Sequence, residues 1–131
     1  MNAKARNLII VGAVLAFLGV ALGAFGAHAL KSRIDADLMS VYQTGVQYHL
    51  VHALGIILVG VLVQVLPSTA RGMKALVASG WMMAIGVLLF SGSLYGLALS
   101  GVRELGIVTP FGGLALLTAW LTLVVGVVKS K

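Results

Sequence analysis

The 131-residue chain is 60% apolar and only 9% charged, a balance that excludes a soluble globular domain and points to a membrane. Its formal charge of +6 does not point to nucleic acid, because the basic residues stand in ones and twos at the edges of apolar runs and form no stripe along which phosphates could lie. With no cysteine, disulfides, thiolate catalysis and iron–sulfur ligation are excluded.

Lys4 and Arg6 precede an uncharged run over residues 7–27 that ends in Ala27-His28-Ala29, the form of a signal-peptidase site. The run exceeds the roughly 7–15 residues of a signal-peptide core, so a retained first transmembrane helix is expected over about 7–30. At about 1.5 Å per residue it crosses a hydrocarbon core of about 30 Å. Lys31 and Arg33 close it, and Asp35 or Asp37 can cap a second helix. That helix opens with Leu38, Val41, Tyr42, Gly45 and His49 at three-to-four-residue spacing. It is apolar all round over 46–66, so at 38–66 it should be longer than the bilayer is thick.

Pro67-Ser68-Thr69 ends the second helix, Arg71 and Lys74 mark a short turn, and a third span follows over 75–100. Arg103-Glu104 interrupts the next loop. Thr109-Pro110 reads as an N-cap followed by proline in the first turn, opening a fourth span over 109–128 that Lys129 and Lys131 close. The expected fold class is all-α: a polytopic membrane protein whose single domain, 1–131, is an antiparallel bundle of four transmembrane helices.

Lys4, Arg6, Arg71, Lys74, Lys129 and Lys131 fall on one side of this topology and Lys31, Arg33 and Arg103 on the other. By the positive-inside rule both termini are expected in the cytoplasm. Trp81 and Trp120 read as approximate interface anchors, with Tyr42 and Tyr48 better placed at the outer interface. Gly19/Gly23/Ala27 and Gly92/Gly96/Ser100 form small-residue ladders at four-residue spacing. Such ladders let helices approach closely, either inside one bundle or between the protomers of a homo-oligomer.

Strongly polar side chains are costly in a membrane and are functional hypotheses by default. Here they converge on the outer side: His28 ends the first span, Gln43, Gln47, His49 and His52 lie in the outer part of the second, and Ser91, Ser93 and Tyr95 in that of the third. His49 and His52 stand at i, i+3 and Tyr48 and His52 at i, i+4. The candidate ligand site is therefore His28, Gln43, Gln47, His49, His52, Ser91 and Tyr95. Two other readings stay open. His28, His49 and His52 could ligate a metal, or two of them could serve a haem or a quinone headgroup. Alternatively the polar groups are interhelical glue, each bond worth about 0.6–2 kcal/mol, with His52 held by Ser91 or Tyr95.

No carboxylate lies within the spans; Asp35, Asp37 and Glu104 all fall in outer loops, so acid–base chemistry would rest on histidine or on those loops. No Walker loop, nucleophile elbow or His-Glu-x-x-His pattern occurs. The expectation is a non-enzymatic protein, with no cofactor required, that contacts membrane lipids and binds a lipid, small ligand or partner helix at the outer cluster. A metal- or haem-binding protein and a scaffold for a larger membrane complex are the alternatives.

Five ordered segments carry a family resemblance: Gly23-Ala24-Phe25-Gly26-Ala27-His28-Ala29-Leu30, Tyr42-Gln43-Thr44-Gly45-Val46-Gln47-Tyr48-His49, His52-Ala53-Leu54, Ser91-Gly92-Ser93-Leu94-Tyr95 and Thr109-Pro110-Phe111-Gly112-Gly113. On these the chain resembles the bacterial four-span membrane family known as domain of unknown function 423, itself similar to the small eukaryotic transmembrane protein 256 family. Phe111 stands where a smaller aliphatic residue is expected. The resemblance implies a bacterial plasma-membrane location, and brings no substrate, cofactor or catalytic residue.

Overall fold

The computed structural model describes residues 1–130; Lys131, counted above among the basic residues of one face, lies outside them. Among the described residues the fold is wholly helical. Helix α1 spans Ala3–Phe25 and continues as a π-helical turn over Gly26–Leu30. Helix α2 spans Ala36–Val65, α3 Met73–Ser100 and α4 Thr109–Lys129, with a short 3₁₀ helix over Arg103–Ile107 before the last. All four long helices are long and apolar enough to cross a membrane.

Local chemistry sets most boundaries. The Asn2 side chain accepts the Lys4 amide at 2.9 Å, so α1 begins at Ala3, ahead of the apolar run from which its start was expected. Asp35, not Asp37, caps α2 by accepting the Leu38 amide at 2.8 Å. Thirty residues long, α2 extends about 45 Å, which exceeds the bilayer core as anticipated. Gly101 ends α3 in the left-handed region at φ 72°, its amide bonded to the Leu97 carbonyl at 2.8 Å, the usual glycine stop.

The α4 cap differs from expectation. Val108 already has helical backbone angles, so Thr109 is the first residue of the helix and has no capping bond. The Arg103–Ile107 turn feeds almost directly into α4, and the Thr109 hydroxyl instead meets Ser93 of α3 at 2.7 Å. Pro110 does occupy the first turn.

The π turn also has a local cause. The Tyr42 hydroxyl of α2 donates to the Leu22 carbonyl of α1, and the Gly26 amide is shared between the Gly23 and Leu22 carbonyls. With that carbonyl contested, the ladder slips to i→i+5 over the next turn. Gly26 supplies the room, since a Cβ there would collide with the Tyr42 ring.

Helices pack as neighbours in sequence, α1 on α2, α2 on α3 and α3 on α4, while α1 and α4 flank the α2–α3 hairpin without a packed interface of their own. Lacking a hydrophobic drive between helices in lipid, the contacts rely on small residues that let backbones approach. On α1–α2, a Cβ on Gly12 would lie 2.6 Å from Ile57 and one on Gly60 2.7 Å from Ile9. On α3–α4, Gly112 abuts the Phe90 backbone and Gly126 seats Leu76. The two ladders divide in use. Gly19 and Gly23 receive Leu50 and Val46 of the same chain, whereas Gly92 has no atom within 4 Å of its missing side chain. Leu8, Ile56, Val59, Leu76 and Met83 form the buried core, and Phe17, Val20, Leu88 and Leu121 project outward, as befits a protein whose solvent is lipid.

Candidate functional site

Polar side chains gather in the half of the bundle away from the termini, and α2 organises them. Toward α1 and α3, α2 presents Tyr42, Gly45 and His49. Tyr42 donates to the Leu22 carbonyl of α1. His49 Nδ1 lies 2.9 Å from the Tyr95 hydroxyl of α3, and Ser91 of α3 donates to the Gly45 carbonyl at 2.7 Å. The Tyr95 ring sits over Gly45, where a Cβ would come within 2.9 Å, and 5.2 Å from the Tyr42 ring.

The second nitrogen of His49 decides what this cluster can do. Nε2 is fully buried and makes no hydrogen bond of normal geometry; its edge of the ring lies against α1 at Gly19, where the Leu15 carbonyl is at most a weak, misaligned acceptor. If Tyr95 donates to Nδ1, the neutral ring carries its proton on Nε2 as an unused donor. If Nδ1 donates, Nε2 is an unused acceptor. Either way a polar atom is left over, at a cost of about 1–3 kcal/mol. His49, Ser91 and Tyr95 are the polar members of an otherwise apolar groove of about 450 Å³ whose walls are Leu15, Leu18 and Phe25 of α1 and Val87, Leu88 and Gly92 of α3.

On the other flank of α2, His52 is fully engaged. Its Nε2 accepts the Trp120 indole N–H of α4 at 3.0 Å, and its Nδ1 lies 2.7 Å from the Tyr48 carbonyl. An indole N–H only donates and a carbonyl only accepts, so this network assigns the proton to Nδ1 and makes the ring neutral. The expected partners, Ser91 and Tyr95, are bonded elsewhere. Trp120, expected as an interface anchor, is the group that answers His52.

The candidate residues thus separate. His49, Ser91 and Tyr95 come together, and His52 faces α4. His28 lies exposed on the π turn, and Gln43 and Gln47 are exposed on α2. Gln47 shares a small surface hollow with Tyr48, Val51 and His52, and Gln43 lines another with Lys31 and Ser40. Among the described residues His28, His49 and His52 do not assemble into a group that could hold a metal. Tyr42 joins the site unforeseen, although its spacing of seven from His49 puts both on one helix face. No sequence signal marks Trp120.

Residues 22–113 match the family model described as protein of unknown function (DUF423). Over 124 residues the chain is 46% identical to the UPF0382 membrane protein YwdK of Bacillus subtilis, covering 95% of this chain and 98% of that one. It is 40% identical over 126 residues to the UPF0382 inner membrane protein YgdD of Escherichia coli K12, covering 96% and 92% respectively. No solved structure matches the chain.

Proposed function

Because the chain belongs to the DUF423 family, whose relatives include UPF0382 membrane proteins, we propose that it is a membrane-embedded binding protein rather than an enzyme. Its ligand is a lipid or small amphiphile, seated in the groove between α1 and α3 with its polar end at His49 and Tyr95. The observation that carries this reading is the unpartnered, buried Nε2 of His49 in an otherwise apolar groove. On binding, a small shift of α1 at Gly19 uncovers Nε2, and a hydroxyl or carbonyl on the ligand takes the hydrogen bond left unfilled there. Support for the setting is the excess of basic residues at the end of the bundle that holds the termini, and the name of the Escherichia coli relative, an inner membrane protein. On that reading the termini are cytoplasmic and the cluster faces the outer leaflet.

Lipid analysis and native mass spectrometry of the protein after gentle extraction test the proposal. A retained lipid or amphiphile is expected on the wild type, and its loss on His49→Phe and on Tyr95→Phe. An identical complement on all three proteins refutes the site. One observation favours a second reading of the same groove: a Cβ on Gly92 would meet nothing within 4 Å, which suits the close approach of a helix from another copy. The chain has no cysteine, so Gly92→Cys gives a clean crosslinking probe in membranes, and a disulfide-linked dimer supports that reading.

A further inference from the structure

We propose that the cleft between α2, α3 and α4, on the flank opposite the His49 groove, is a separate site for a flat, lipid-soluble ring bearing a carbonyl, the chemistry of a quinone headgroup. The cleft encloses about 350 Å³, within the range of about 300–1,000 Å³ that takes small molecules. Its walls are Tyr48, His52, Phe90 and Trp120, closed by Leu116 and Leu117, with Gly113 at its edge.

Three of these walls are held in place. The indole of Trp120 is fixed by its bond to His52 Nε2 at 3.0 Å. Tyr48 and Phe90 lie ring against ring at 4.6 Å, and Tyr48 stacks on His52 at 6.1 Å and 17°. Gly113 keeps the edge open, since the nearest atom to a Cβ there would be the Phe90 ring at 3.8 Å. The arrangement is pre-formed, and aromatic faces at these separations favour another flat ring over a flexible chain.

The polar groups narrow the choice. Both His52 nitrogens are engaged, so the imidazole offers neither donor nor acceptor to a ligand. Tyr48 is 43% exposed, and its hydroxyl makes no hydrogen bond among the described residues. A phenol wants an acceptor when its surroundings are apolar. The cleft has no charged residue in its lining, which disfavours an ionic headgroup. What remains is aromatic surface plus a single hydrogen-bond donor, the complement of a neutral ring with a carbonyl oxygen.

Trp120 reports on the site directly. In a Trp81→Phe background it is the sole tryptophan, and the purified protein in nanodiscs of phosphatidylethanolamine and phosphatidylglycerol is titrated with decylubiquinone while its fluorescence is followed. Saturable quenching is expected. Gly113→Leu, which fills the open edge, should leave only the linear quenching of a quinone dissolved in the bilayer. Tyr48→Phe should weaken the saturable phase about 3- to 10-fold, and His49→Phe should leave it unchanged, which separates this site from the groove proposed above. Purely linear quenching of the parent protein, or equal quenching in Gly113→Leu, overturns the proposal. So does equal competition by decanol, because it would show the cleft to be a place for lipid chains. Should Gly113→Leu fail to fold, Tyr48→Phe decides, as it removes only the hydroxyl; an unchanged midpoint then overturns the carbonyl contact.

Discussion

Adjacent glycines on α4 offer a test in which the same added methyl has opposite effects. On Gly112 an alanine Cβ would stand 2.7 Å from Phe90 Cα and 2.8 Å from Phe90 Cβ, and closer still to the Phe90 nitrogen. These atoms belong to the α3 backbone or its root, so no rotamer change clears them. Restoring carbon–carbon contacts of about 3.5–4.0 Å requires α4 to withdraw by about 1 Å, which also stretches the 2.7 Å Ser93–Thr109 bond one turn away. Overpacking of this kind costs about 1–3 kcal/mol. On Gly113 the nearest atom would be 3.8 Å away, an ordinary contact, and alanine gains about 0.8–1.0 kcal/mol of helix propensity over glycine. Because Gly112→Ala carries the same propensity gain, the overpacking alone separates the two, and Gly113→Ala should exceed Gly112→Ala in stability by about 1–3 kcal/mol, or about 5- to 140-fold in the unfolding constant. Unfolding by SDS titration in mixed micelles, or steric trapping, measures the difference. Equal stabilities would mean that α3 and α4 do not approach this closely at Phe90, and the packing described above would be wrong.

The His52–Trp120 bond predicts a coupling of about 0.6–1.7 kcal/mol in a double-mutant cycle of His52→Phe and Trp120→Phe; no coupling would remove the bond. Tyr42→Phe frees the Leu22 carbonyl, so the Gly26–Leu30 turn should revert toward α-helical pairing, seen as slower amide exchange there, and unchanged exchange would dissociate the π turn from Tyr42. Asp35→Ala should lose about 0.5–2 kcal/mol with the α2 cap, whereas Asp37→Ala should change stability little; the reverse order would place the cap wrongly.

Apolar runs and their charged borders were enough to read four spans, because in a membrane length and composition alone dictate that a segment be helical. Boundaries read from apolarity drifted where a side chain overrode it, as at Asn2, whose cap carries α1 past Lys4 and Arg6. Thr109 shows the complementary failure. Its sequence context suits a cap, yet a bond to another helix and a preceding 3₁₀ turn use the residue differently. The polar cluster was legible as a set of costly residues but not as two separate hydrogen-bonded groups. His49 and His52 are three positions apart, which on a helix of 3.6 residues per turn leaves about 60° between them. That angle is wide enough for one to face α1 and α3 while the other faces α4. Which helix waits on each side is decided by interhelical register, and no local pattern encodes it.

The position of α1 on one flank, held along most of its length by α2, bears on how the protein is made. This span is the most apolar of the four and the least enclosed, with 22% of its apolar stretch buried against 28–44% for the others. In synthesis from the N-terminus, α1 enters the bilayer before α2 exists, and it must be content among lipids until its partner arrives. Its composition meets that requirement, while the glycines at 12 and 19 are spaced to receive Ile57 and Leu50 later. α1 is thereby suited to dock onto a finished hairpin from within the membrane.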